Sequence, residues 1–161
     1  MANKIRDRLI ELGIELPLAQ KPKVAKIKGW SILGNTLYIS GMIPQWEGDV
    51  RFIGKVGKEF SIEQGREAAH LSALNVLAQA YDALDGDLDR IVQIAKVNGF
   101  VSCTPEITEV AAVVNGASEL FLDIFGERGA HARVAVGVAT MPIGVAVEIE
   151  AIMEIDWPIK A

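Results

Sequence analysis

The sequence predicts an α+β domain in which two helices pack on one face of a mixed sheet. Three observations carry this prediction. Residues 131–154, HARVAVGVATMPIGVAVEIEAIME, form two β-branched runs separated by a Met-Pro-Ile-Gly cluster, the pattern of two strands joined by a turn. Residues 61–86 carry an apolar stripe at helical spacing, rich in the alanines that allow close approach to a sheet. Around them the order reads as two strands, a helix, a long strand, a helix and a closing hairpin, preceded by a small extra helix.

A length of 161 residues, half of them hydrophobic, suits one domain over 1–161, with 1–20 as an N-terminal helical extension. A mean hydropathy of +0.27 with 23% charged residues is apolar for a soluble chain this short, which points to surface buried between subunits. The net charge of −5 lacks the basic footprint of phosphate-dominated nucleic-acid binding. Cys103 stands alone, so an internal disulfide is excluded. It reads as a small buried hydrophobe or a nucleophile, in a chain suited to reducing cytosol. The N-terminal residues lack the basic region and apolar run of a signal peptide, and no apolar run is long enough to cross a bilayer, so the expected location is cytoplasmic.

Taken in order, Ile5, Leu9 and Leu12 share one helical face over 3–12, with Gly13 placed to stop the helix. Leu16-Pro17-Leu18 is a linker. Lys21, Lys23, Lys26 and Lys28 then read as the wet face and edge of a first strand, or as an anion-attracting cluster. Gly34-Asn35 is a turn into a second strand over 36–40. Residues 41–60 lack periodicity and predict a long loop whose Trp46 either packs or caps a ligand slot. Ser61 with Gln64 three residues later is a capping box that opens the first large helix, ending near Gly86. His70 within that helix has no second ligand at metal spacing and reads as structural; no residue set in the chain predicts a metal site. Residues 88–102 give the long strand, ended by Thr104-Pro105. Residues 107–125 give the second helix, with Asn115 on it and Gly126 after it. His131 reads as a turn residue or a proton shuttle, and Trp157-Pro158 as the end of the sheet.

The closing hairpin holds the most informative pattern. With a turn centred between Pro142 and Ile143, alternation puts Arg133, Ala135, Gly137 and Ala139 on one face with Ala146, Glu148, Glu150 and Ile152. Val134, Val136 and Val138 then share a core face with Val145, Val147 and Ile149. Arg133 and Glu148 would be about 14 Å apart along the strand at about 3.4 Å per residue, across a floor of Ala and Gly. A guanidinium binds a carboxylate bidentately, and a facing carboxylate can orient water or shuttle a proton. The same residues also suit a solvated ion pair on an amphipathic sheet.

This stretch resembles the RidA/YjgF family of small imine deaminases, also described as endoribonuclease L-PSP-like. The resemblance lies in Ala132-Arg133, Val138-Ala139, Pro142 and Val147-Glu148-Ile149-Glu150-Ala151-Ile152, with the family's arginine-to-glutamate spacing. It extends to Gly34-Asn35, Ser40-Gly41-Met42-Ile43-Pro44 and Asn115, and covers roughly residues 25–155. The resemblance implies a chorismate-mutase-like fold, trimeric through a central barrel, with ligand clefts between subunits. It implies cofactor-free hydrolysis of a 2-imino acid to a 2-keto acid and ammonia: Arg133 holding the carboxylate, Gly41, Asn115 and Ala135 lining the cleft, and Glu148 orienting water. Two positions depart from the family pattern: Ile27 stands where a tyrosine is usual, and Ala135 where cysteine or serine is common. A non-catalytic trimer that binds a small carboxylate metabolite is therefore a second reading, and an endoribonuclease or translation inhibitor a third.

Overall fold

The computed structural model describes residues 3–21 and 26–156. Helix α1 (Lys4–Glu11) buries Ile5 and Leu9, and the Ile5 N–H donates to Asp89 Oδ1 at 3.2 Å, so the N-terminal segment packs on the body. Strands β1 (Trp30–Leu33) and β2 (Thr36–Met42) form the first hairpin around Gly34, whose φ of +59° suits a residue without Cβ. Lys26 and Lys28 precede β1 instead of lying on it, because the alternation of half-buried and exposed side chains begins only at Trp30; Lys23 falls outside the described residues. The stretch expected as a loop contains a small hairpin, β3 (Gln45–Trp46) and β4 (Asp49–Val50), and its Trp46 packs on the core.

Helix α2 (Ile62–Ala83) starts at the predicted capping box: the Ser61 hydroxyl accepts from the Gln64 N–H and the Gln64 side chain accepts from the Ser61 N–H. Strand β5 (Ile91–Ser102) follows, then α3 (Val110–Phe125), which ends where Gly126 turns to φ +60°. Strands β6 (Ala132–Val138) and β7 (Val147–Ile155) complete the sheet; Trp157 and Pro158 lie outside the described residues.

The main sheet has the order β1-β2-β7-β5-β6, so β6 and β7 do not pair with each other. This corrects the expected closing hairpin. Strand β5 lies between them, parallel to β6 and antiparallel to β7, because α3 carries the chain from β5 to β6 as a β-α-β crossover. Phe100 stands between Val136 and Glu148, and Val97 between Arg133 and Ala151. That register differs by one residue from the one a direct hairpin dictates, which turns β6 over relative to β7.

Helices α2 and α3 cover one face, burying Ile149, Ala151, Met153, Val97 and Val101 beneath them. They cross closely at Gly116, where a Cβ would lie 2.1 Å from the Arg66 carbonyl oxygen. The opposite face carries Tyr38, Val134, Val136, Phe100 and Ile152 together with Glu148 and Glu150, and no helix among the described residues covers it. Val134 and Val136, expected in the core, are 40% and 39% exposed.

Candidate functional site

Arg133 projects from β6, the edge strand, toward α3. Its Nη1 donates to Asn115 Oδ1 at 2.7 Å and to Ser118 Oγ at 3.1 Å, and Nη2 makes a long contact of 3.5 Å to the Ala111 carbonyl oxygen. Asn115 and Ser118 are three residues apart on one helix and so reach the same point. Three of the five guanidinium hydrogens are thereby occupied, leaving Nε–H and one Nη2–H without a partner among the described residues. No carboxylate among those residues pairs with Arg133, so neutral acceptors hold it and its charge is left for an anion. Ala135, two residues on, lies on the same face and packs against the core. Asn115, expected from the resemblance to line the cleft, anchors the arginine directly.

Glu148 lies in the middle of the sheet on β7 and points the other way. Its carboxylate sits on Gly41, where a Cβ would come within 1.9 Å of Oε1. The bulge between Ile39 and Met42 places Gly41 there. Glycine at this position thus makes room for the Glu148 side chain. Burial, and secondly the charge of Glu150, push the Glu148 pKa above the usual carboxyl range. No group among the described residues donates a hydrogen bond to it, whereas Glu150 accepts from Asn98 Nδ2 at 2.6 Å. A half-buried carboxylate without donors is a stronger proton acceptor than a solvated one.

The expected crevice with Arg133 and Glu148 on one face of one chain is therefore absent. The structure brings Arg133, Asn115 and Ala135 together on the helix side, and Gly41 and Glu148 together on the open side. Each group is half of the predicted site. Ser118 has no signal in the sequence beyond its spacing from Asn115.

His131 also joins the arginine side. Its Nε2 is 2.9 Å from Ser118 Oγ, its Nδ1 2.6 Å from the Gly129 carbonyl oxygen, and its ring meets Phe121 edge-on. Cys103 is partly buried against the core, its Sγ 2.9 Å from where a Cβ on Gly137 would stand. Among the described residues no group of three or more His, Cys, Asp or Glu side chains could hold a metal ion, and no helix is long and apolar enough to cross a membrane.

Comparison with known proteins connects these halves to a family. Residues 6–154 match the family described as "YjgF/chorismate_mutase-like, putative endoribonuclease". The chain is 40% identical over 156 residues to Protein TCP17 of Trypanosoma cruzi, covering 96% of each. Among solved structures it is similar to Atu1372 of Agrobacterium tumefaciens, a protein of unknown function, with 45% identity, 96% and 94% of the two chains covered and a TM-score of 0.88. RidA from the Antarctic bacterium Psychrobacter sp. PAMC 21119 superposes with a TM-score of 0.59 at 27% identity, over 85% of this chain and 94% of that one. The sheet order, the two helices on one face and these matches establish that the chain belongs to the YjgF/RidA family.

Proposed function

We propose that the chain is a RidA-like deaminase that hydrolyses reactive 2-imino acids to 2-keto acids and ammonia, in clefts built between copies of itself. The observation that carries this reading is the division of the site. One half offers a guanidinium with two free N–H groups and no acidic partner; the other offers a carboxylate of raised pKa with no donor. Neither half is complete alone, and they lie on opposite faces of one sheet. Two chains can bring them together. The open face, with Tyr38 42% exposed on β2 and Val134 and Val136 exposed on β6, supplies apolar surface for such an assembly, and a homotrimer with inter-subunit clefts is the form proposed.

In such a cleft Arg133 of one chain takes the substrate carboxylate on its Nε–Nη2 edge. Glu148 of the next chain accepts a proton from a water as that water attacks the imine carbon. The protonated imine, R–C(=NH2⁺)–COO⁻, and water yield R–CO–COO⁻ and NH4⁺, so positioning and one proton acceptor suffice.

The test is to supply imine in place with an amino-acid oxidase and an amino acid, then follow keto-acid release with and without the protein. Acceleration supports the reading; none with any amino acid tried overturns it. A specific observation favours the second reading, a trimer that binds a small carboxylate without turnover: Ile27, at the family's tyrosine position, is 59% exposed and brings no hydroxyl. In that case 2-keto acid binds and release is not accelerated. For an endoribonuclease, RNA binding should exist at low salt and fall steeply as salt rises, which the net charge of −5 opposes.

A further inference from the structure

With a neutral imidazole, the hydrogen bonds behind Arg133 form a chain with one consistent direction. The Gly129 carbonyl can only accept, so His131 Nδ1, 2.6 Å away, carries a hydrogen and donates it. Burial, the larger influence, and the neighbouring Arg133 charge keep the imidazole pKa below its ordinary value despite the Gly129 carbonyl, which favours the neutral ring whose Nε2 keeps its lone pair. Ser118 Oγ, 2.9 Å from Nε2, must then donate its hydroxyl hydrogen to the ring. This turns an oxygen lone pair toward Arg133 Nη1, 3.1 Å away, which donates into it. Asn115 Oδ1 takes the second Nη1 hydrogen. The groups against the imidazole are Arg133 from β6, Ser118 and Phe121 from α3, and Gly129 from the turn before β6; of these Arg133 alone is charged.

We propose that Ser118 and His131 are positioning residues for Arg133: the imidazole orients the serine hydroxyl as an acceptor, which fixes the guanidinium plane so that its Nε–Nη2 edge faces the ligand. This rests on the reading of Arg133 as the carboxylate binder. A serine hydroxyl without the histidine rotates freely and presents its hydrogen to the arginine part of the time, so Nη1 loses one of its two anchors. His131 is thus part of the site at one remove, and touches no substrate.

The experiment has a ligand arm and a ligand-free arm. His131→Phe keeps the ring against Phe121 and removes the acceptor; His131→Gln restores an acceptor oxygen near the Nε2 position and serves as the rescue. Titrated with 2-oxobutanoate, His131→Phe and Ser118→Ala should bind about five- to tenfold more weakly, and His131→Gln should recover most of the loss. In the oxidase-coupled assay the same variants should raise KM more than they lower kcat. In the ligand-free arm, 15N spectra of the Arg133 side chain should show slow rotation of the guanidinium in the wild type and faster rotation in His131→Phe. A wild type that binds no 2-oxobutanoate while His131→Phe still frees the guanidinium would refute the carboxylate reading and keep the relay. Unchanged Arg133 spectra in folded His131→Phe, or faster rotation with an unchanged dissociation constant where the wild type binds, would overturn the relay.

Discussion

Replacing Gly41 by alanine should silence turnover while sparing the fold. Gly41 has no positive φ, so the backbone accepts a Cβ. That Cβ would lie 1.9 Å from Glu148 Oε1, whereas ordinary contact begins near 3.4 Å, so the carboxylate must retreat by about 1.5 Å. It is the far end of a flexible side chain and only half-buried, and it can swing away at a stability cost of about 1 kcal/mol or less. Catalysis is less tolerant: a displacement of about 1 Å at a reacting group costs about 100-fold. The coupled keto-acid assay should therefore show kcat reduced by about two orders of magnitude. The dissociation constant for 2-oxobutanoate should stay nearly unchanged, because Arg133 is untouched, and the melting temperature should fall by only a few degrees. Wild-type kcat in a folded Gly41→Ala protein would refute the assignment of Glu148 as the proton acceptor.

Arg133→Lys should weaken 2-oxobutanoate binding by about 10- to 100-fold, since an ammonium lacks the planar fork; calorimetric titration reads this directly. Glu148→Gln should bind the same ligand and lose turnover. The raised Glu148 pKa also fixes a sign: the unfolded chain ionises this group first, so its charge disfavours folding increasingly as pH rises from the unfolded pKa through the folded one. Glu148→Gln should then melt higher than the wild type at neutral pH and lose that advantage in acid, and wild-type kcat should rise with pH along a limb above the ordinary glutamate range. Val136→Glu, on the open face, should give a folded but smaller species in light scattering with little activity; an unchanged mass would place the subunit contact elsewhere.

Features with local signals were legible in the sequence. The Ser61–Gln64 capping box, the Gly34-Asn35 turn and the stop at Gly126 each depend on neighbours in the chain, and each forms where expected. The placement of β5 between β6 and β7 is non-local. A Pro/Gly cluster between two β-branched runs reads as a hairpin, although the strand, helix, strand order of residues 91–138 already permits a parallel crossover. One residue of register decides which side of the sheet Arg133 occupies, and alternation cannot choose between the registers. The valines of β6 showed the same ambiguity: an apolar alternation marks a buried face without saying whether the chain's own helices or another copy buries it. Asn115 is marked in the sequence by the family resemblance alone, and its hold on Arg133, like that of Ser118, follows only from α3 lying over the arginine.

The central claim is that Arg133 and Glu148 work together across a boundary between chains, and mixing two inactive variants tests it most directly. Arg133→Ala and Glu148→Gln, each inactive alone, are coexpressed with different tags and the mixed oligomers purified. Every mixed trimer, whichever variant is in the majority, has one of its three boundaries with both native residues, so the purified mixed trimers should recover roughly a third of wild-type turnover. Mixed oligomers that form and remain as inactive as either parent would contradict the shared site.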